Sequence, residues 1–318
     1  MPPAPTPPRV VAVVVAYNRR DLLLEVLDAL ARQDTALGRI VVIDNASTDD
    51  SAAVAAAAGP LVDLVVLERN TGGAGGFAAG LAVALERHAP VWVWMMDDDT
   101  IPTASALTEL LAAVSGTDAV VAGSRVIWTD GTDHPMNTPR EKPFVSGAER
   151  KAAADRGLLA VRSSSFVSML VRADIVRAEG LPLADYFIWN DDFEYSTRLL
   201  RGRRGVFVPG SVVVHKTRAL ASTDIDPGPR FYYEVRNKLW MQRASRSLNP
   251  GEKLLYGAST LRRWVRTFIR SADRAVLRDG LSRGLADGLR TRPRHNAVSL
   301  AGLGPVTDAV RALEGPHD

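Results

Sequence analysis

Asp97, Asp98 and Asp99 stand in a row directly behind the apolar run VWVWMM. Adjacent carboxylates repel one another, so a triplet leaving a buried strand costs stability unless a cation shares the site. A solvated acidic turn is the plain alternative. The chain has no cysteine, and oxygen-rich ligation without thiolates suits Mg2+ or Mn2+, held by one or two carboxylates and by substrate phosphates. A second acidic pair, Asp191-Asp192, opens the stretch DDFEYSTRL, and His215 closes the run SVVVH. A lone histidine is ordinarily a half-buried polar residue; here, following the acidic pair, it is also a candidate metal ligand. Asp44 ends the run RIVVID and either meets a ligand or caps a turn with Asn45. Ser47, Thr48 and Asp49 suit a helix N-cap.

The stretch NTGGAGGFAAG at 70–80 contains Gly73-Ala74-Gly75-Gly76-Phe77-Ala78, which fits the G-x-G-x-x-A fingerprint of dinucleotide sites. Three observations weigh against a nicotinamide or flavin. The stretch follows the third predicted strand rather than the first, the acid beyond it is a triplet rather than a single ribose ligand, and no second nucleotide half follows. The glycines instead let backbone approach a ligand and open a helix whose N-terminus favours phosphate.

These residues need a frame that brings distant stretches to one place. Short β-branched runs, VVAVVVAY, RIVVIDN, LVDLVVLE and VWVWMMDDD, alternate with helical patterns in RRDLLLEVLDALARQ, STDDSAAVAAAAG and GGFAAGLAVALERH. Apolar strands separated by helices predict an α/β fold, a mainly parallel sheet with helices on both faces. Such sheets bind ligands at the carboxyl ends of their strands, where Asp44 and the triplet fall and where Asp191-Asp192 are expected to join them. Pro102 is expected to open a helix through SALTELLAAV. DAVVAGSRVIW, SSFVSMLVRADIVRAEG and RGVFVPGSVVVHK supply further strands and a helix, while residues 129–160 are polar and poorly periodic.

With 318 residues, 46% hydrophobic and 24% charged, the chain suffices for one large α/β domain and an appendage. The absence of cysteine excludes a disulfide framework and a thiolate nucleophile. Residues 1–8 read as a disordered proline-rich tail rather than a signal peptide, and no stretch approaches the roughly eighteen apolar residues of a membrane span. Charge is uneven. Residues 1–215 carry 20 Lys and Arg against 26 Asp and Glu, a net −6; residues 216–318 carry 19 against 10, a net +9. The basic part is helical in pattern from residue 228. In 254–278, Leu261, Trp264, Val265, Phe268, Ile269 and Ala272 share a face, and Arg262, Arg266, Arg270 and Arg274 form an i, i+4 stripe. The stripe is either a solvated face of a packed helix or a contact with an anionic membrane surface. Nothing in it resembles a nucleic-acid recognition motif, so no nucleic acid is expected as a partner.

Five stretches occur in a fixed order: VVVAYNR, VVIDNASTD, NTGGAGGFAAG, WVWMMDDD and FIWNDDFEYSTRL. Together they resemble glycosyltransferase family 2. The form NTGGAGGF with WVWMMDDD is similar to actinobacterial galactofuranosyltransferases acting on polyprenyl-diphosphate-linked cell-wall intermediates, and related rhamnosyltransferases share much of it. The resemblance implies the GT-A nucleotide-diphospho-sugar fold over residues 9–217, with 218–318 as a helical basic region for acceptor or membrane association. It implies inverting transfer from a nucleotide-diphospho-sugar, with UDP-galactofuranose the expected donor and a dTDP-sugar such as that of rhamnose the alternative. The implied acceptor is a lipid-linked saccharide. The implied location is cytoplasmic, on the inner face of the plasma membrane.

By matching position, the resemblance has Ala16 and Tyr17 flank the base, and Asp44 hold the uracil or ribose. Asn70, Gly73 and Gly75 would line the donor pocket with Asp97 and Asp98. Asp97 and Asp99 match the metal-binding DxD, His215 matches a metal-binding histidine, and Mn2+ or Mg2+ is the implied cofactor. Asp192, with Asp191 beside it, matches the catalytic base, and Trp189, Arg236 and Asn237 fall at acceptor positions. After His215 the chain departs from the polymerising members: HKTRAL stands in place of a tryptophan-rich continuation, which favours addition of one or two sugars. A sugar-phosphate nucleotidyltransferase is a rival reading, but it would carry a glycine-rich basic loop after the first strand, and AYNRRDLLLE has no glycine. A membrane-binding module without activity would not need the intact acid set. The oligomeric state is left open.

Overall fold

The computed structural model describes residues 9–217 and 226–315. The proline-rich tail 1–8, and residues 218–225 where the sequence divides the chain, lie outside the described residues.

The first half builds β1 (Val10–Ala16), α1 (Arg20–Ala31), β2 (Arg39–Asp44), α2 (Ser51–Ala57), β3 (Val62–Val66), α3 (Gly72–His88) and β4 (Trp92–Asp97). After the aspartate triplet come β5 (Thr100–Pro102), α4 (Ala106–Val114), β6 (Ala119–Ile127), α5 (Gly147–Ala154) and β7 (Leu159–Val161). Then follow β8 (Met169–Arg172), α6 (Ala173–Glu179), α7 (Asp191–Leu199) and β9 (Arg204–His215). The helical end is α8 (Phe231–Ala244), α9 (Pro250–Arg270), α10 (Arg274–Arg290), α11 (Asn296–Ser299) and α12 (Pro305–Glu314).

One sheet holds all the described strands, in the order β3-β2-β1-β4-β8-β6-β9-β5, with β7 on β9. β3, β2, β1 and β4 are parallel, as continuous apolar strands separated by helices require. Beyond β4 the sheet is mixed: β8 runs antiparallel to both β4 and β6, and β5 and β7 run antiparallel to β9. Alternate residues of β1 serve two cores. Val11, Val13 and Val15 face α3, α7 and α12, and Val10, Ala12, Val14 and Ala16 face α1 and α4.

Three local expectations are corrected. Pro102 ends the edge strand β5 instead of opening a helix; a residue without an N–H is tolerated at such an edge, and α4 starts only after Ser105. The polar segment 129–160 contains α5, capped by the Ser146 hydroxyl on the Glu149 N–H. α3 begins at Gly72, three residues before the helical pattern that opens at Gly75, so Gly73 also lies in its first turn.

Glycine on α3 has two physical uses. A Cβ on Gly76 or Gly80 would lie 2.5 or 2.4 Å from Val15 or Val13, so these positions let the helix lie directly on β1. Gly72 has φ +72°, and a Cβ there would strike the Phe187 carbonyl.

The basic helical end completes the first half's core. Leu300 and Leu303, between the last two helices, and Val306 and Val310 of α12 join the layer formed by α3 and β1. Buried Arg162 pairs with Glu252 at 2.7 Å and also donates to the Ser247 carbonyl, which anchors the start of α9 to the end of β7.

Candidate active site

Register places the acids. Ala16 lies opposite Asp44 and Val15 opposite Asp97, so the carboxyl ends of β1, β2 and β4 form one rim. Asp44 is buried; its Oδ2 accepts from the Ser47 N–H at 3.1 Å, while Oδ1 has no hydrogen-bond partner among the described residues. Such an oxygen awaits a donor from a ligand. Its neighbour Asn45 ties the rim to α3, donating to the Gly72 carbonyl at 2.9 Å and accepting from the Thr71 N–H at 2.8 Å.

β5 is three residues long, and its register with β9 pairs Thr100 with His215. Lys216 N–H donates to the Asp99 carbonyl at 2.9 Å. The register of β9 shifts around Pro209-Gly210, between Val208 and Val212. His215 therefore meets the triplet: ligand atoms of Asp97, Asp99 and His215 lie within 4.8 Å of one another. His215 Nε2 is 3.3 Å from Asp99 Oδ1, a buried oxygen with no hydrogen-bond partner of good geometry among the described residues.

The three aspartates are not equivalent. Burial, reinforced by the Asp99 charge, pushes Asp97 up to about 6 against the pull of His215 and Arg19. Burial pushes Asp98 up to about 7, offset by the Tyr17 N–H and by Arg19. Burial would raise Asp99 too, but His215 and Arg19 outweigh it and hold that carboxyl below its usual value. Burial lowers the His215 imidazole, and the Asp99 carboxylate more than reverses this, leaving it raised.

Asp98 turns into the protein, accepting from the Tyr17 N–H at 2.8 Å and from Arg19 at 3.3 Å. It thereby staples the Tyr17 loop to the rim. Arg19 also pairs with Asp99, supplying a positive charge at the triplet. The Ala16 side chain is buried in the core, whereas Tyr17 is 44% exposed. Asn70 folds back on the Gly72 N–H at 2.7 Å; Gly73 faces open space, whereas Gly75 packs on Thr71.

Asp191 and Asp192 open α7, half-buried, close enough to Asp97 for their charges to interact. Burial and the Asp192 charge push the Asp191 carboxyl well up. Burial also raises Asp192, while the Phe193 N–H at 2.7 Å, Ser165 and Lys238 pull it down. Lys238 lies over the Phe193 ring at 4.7 Å, and burial pushes its ammonium down to about 8 against the attraction of Glu234. Trp189 stands two residues before the pair with φ +66°. Asn237 is fully buried with its amide spent on backbone carbonyls, and Arg236 lies among Tyr232, Tyr233 and Trp240. Asn237 is thus not offered to an acceptor.

Two site residues come from the polar segment that showed no pattern. Asn137 Oδ1 lies 3.3 Å from His215 Nδ1, and its Nδ2 donates to Ser165 at 3.3 Å. Buried His134 packs against His215 with the rings tilted by 37° and their centroids 4.9 Å apart. An imidazole held at Nδ1 presents Nε2 to a metal, the usual arrangement around a ligating histidine. Only the histidine at 134 and the asparagine three residues later signalled this in the sequence, and neither has helical or strand periodicity to place it.

The arrangement is a buried Asp–Asp–His cradle beside an acidic pair, at the edge of an α/β sheet. A family model described as Glycosyl transferase family 2 matches residues 11–176. Galactofuranosyltransferase GlfT1 of Mycolicibacterium smegmatis is 30% identical over 287 residues, covering 81% of this chain and 94% of that protein. Among solved structures, S. aureus TarS 1-349 in complex with UDP-GlcNAc superposes with a TM-score of 0.62 at 17% identity, over 96% of this chain and 88% of that one. The mannosyltransferase PcManGT from Pyrobaculum calidifontis, in complex with GDP-Man and Mn2+, gives a TM-score of 0.53 at 19% identity, over 98% and 87%. These structures share the fold, and the sequence matches bear out the resemblance to the family. The chain belongs to glycosyltransferase family 2, a glycosyltransferase on the GT-A fold.

Proposed function

We propose that the protein is an inverting, divalent-cation-dependent transferase that moves galactofuranose from UDP-galactofuranose onto a lipid-linked saccharide. The observation that carries this is the meeting of Asp97, Asp99 and His215 with Asp191-Asp192 at one sheet edge. The donor set, two carboxylates and an imidazole with a buried Asp99 oxygen that lacks a hydrogen-bond partner of good geometry among the described residues, fits Mn2+ or Mg2+. Bound there by Asp97, Asp99 and His215, the cation would neutralise the charge of the leaving diphosphate.

The chain's own residues do the rest. Asp44 offers its free oxygen to the nucleoside, and exposed Tyr17 offers a ring to the base. Asp192 takes the proton from the acceptor hydroxyl; burial raises its pKa toward the range that suits a general base near neutral pH. A single carboxylate base, with no covalent nucleophile, makes the transfer inverting. A panel of nucleotide-sugars tests the donor. Thermal stabilisation in Mn2+ should be greatest with UDP-galactofuranose, and a dTDP-sugar giving the larger shift would reassign the donor.

The galactofuranosyltransferase match supports the donor assignment, and α9 supports a lipid-linked acceptor. Its sequence face is split by the structure. Trp264 and Phe268 turn inward onto Phe231, while Leu254, Leu261, Val265 and Ile269 are 78%, 63%, 53% and 67% exposed. The expected stripe is also broken: α9 ends at Arg270, and Arg274 starts α10, donating to the Phe268 and Ile269 carbonyls. No helix among the described residues is long and apolar enough to cross a membrane. An exposed apolar face on a chain end of net +9 suits the surface of an anionic membrane, at its cytoplasmic side.

Replacing Leu261, Val265 and Ile269 by serine removes three such side chains, each worth about 1.5–3 kcal/mol when fully buried. Binding to anionic liposomes should fall at least ~10²-fold, with activity on a short water-soluble acceptor kept. Unchanged cosedimentation would remove α9 from the membrane.

A further inference from the structure

The segment that leads into the acidic pair is held in a conformation its own residues disfavour. Phe187, Trp189 and Asn190 have φ of +61°, +66° and +64°. Asparagine tolerates the left-handed region, whereas Phe and Trp rarely occupy it. Something outside the segment must therefore fix it.

That restraint comes from one face of α8. Asn237 Nδ2 donates to the carbonyls of Tyr186, Ile188 and Trp189 at 2.9, 3.0 and 2.8 Å, with one hydrogen shared. Its Oδ1 accepts from Arg236 at 3.0 and 2.9 Å, which orients the amide. Arg236 in turn donates to the Asp185 and Tyr186 carbonyls at 2.7 and 3.3 Å. One turn earlier, Glu234 accepts from Asn190 Nδ2 at 2.8 Å. Four backbone carbonyls and one side chain, all within residues 185–190, are thus gathered by three residues of one helix. A buried asparagine needs partners wherever it sits. Spending its amide on three carbonyls of a single irregular turn is the behaviour of a template.

We propose that Asn237, with Glu234 behind it, is a positioning residue that sets the backbone delivering Asp191-Asp192 to the acceptor hydroxyl. The inference rests on reading that pair as the proton acceptor. The resemblance alone would put Asn237 at the acceptor; on this proposal its function lies instead on the protein side, through the base.

The test is a double-mutant cycle of Asn237 with Asp192. Asn237→Ser replaces the two amide donors by one shorter hydroxyl that cannot span the three carbonyls, and Asn237→Asp keeps the shape but sets a carboxylate against them. Each should lower kcat about 10²-fold, the scale of a base misplaced by about 1 Å, with donor KM and UDP affinity within about threefold. In the Asp192→Asn background, either change should cost less than about threefold more, because the base it positions is already gone. Multiplicative losses in the double variants would overturn the proposal. So would failure of both single variants to fold or to bind UDP, which would make Asn237 a core residue only. If Asp191→Asn and Asp192→Asn each keep near-normal kcat, it is the reading of the base that fails. The cycle separates these outcomes.

Discussion

Asp192→Asn should lose roughly 10²–10⁴-fold in turnover, the range for removal of a general base. The substitution is nearly isosteric, and the oxygen of the amide can still accept from the Phe193 N–H as Asp192 Oδ1 does at 2.7 Å. The start of α7 should therefore survive. What is lost is the capacity to take a proton. Donor binding should change little, because the rim proposed for the nucleoside is built from β1, β2 and β4. Steady-state kinetics with the donor varied checks both halves: kcat falls and donor KM does not. Collapse of donor binding would instead put Asp192 in the donor or metal pocket and leave Asp191 as the base.

Much of this site was legible because its residues end apolar runs. A strand with alternate side chains in two cores can end only where its polar residues begin, so VWVWMMDDD and RIVVIDN announced a rim. His215 was legible for the same reason, at the end of SVVVH. Its partner was not: the pairing of Thr100 with His215 depends on β5, a three-residue strand whose proline read as a helix start. Tertiary pairing outweighed the local preference of Pro102. Arg19 gave no signal at all, since its contact with Asp98 and Asp99 spans about eighty residues of chain. Asn137 and His134 came from a segment without periodicity, where no face can be assigned from sequence. The glycine motif does not mark the positions that the fold needs. Gly72 is required by φ, and Gly76 and Gly80 by the approach of α3 to β1, whereas the motif pointed to Gly73 and Gly75. On α9 periodicity gave the helix but grouped inward Trp264 and Phe268 with outward Leu261, Val265 and Ile269, because a helix packed at one edge uses only part of an apolar arc.

The other large effect concerns the cation. Turnover should fall to background in excess EDTA and return on addition of Mn2+ or Mg2+. Asp99→Ala should behave as the chelated enzyme does, whatever the metal concentration. Two features single out Asp99 in the proposed cation site. Its carboxyl is held below the usual range by His215 and Arg19 despite burial, so it is charged when a cation arrives. Its Oδ1 is buried without a hydrogen-bond partner of good geometry among the described residues, an arrangement costly to keep without a ligand. The variant should remain folded, since Asp99 lies beyond the end of β4 and outside the apolar cores. Removing the carboxylate would also release Arg19 and relieve repulsion within the triplet.

Direct titration of Mn2+ into the protein with UDP, followed by electron paramagnetic resonance, tests the cradle without relying on turnover. The wild type should bind one Mn2+ tightly. Asp99→Ala and His215→Ala should each weaken that site by at least ~10-fold, the scale for loss of a group that holds or orients a metal ligand. Tight binding of one Mn2+ in both variants, or none in the wild type, would contradict the account.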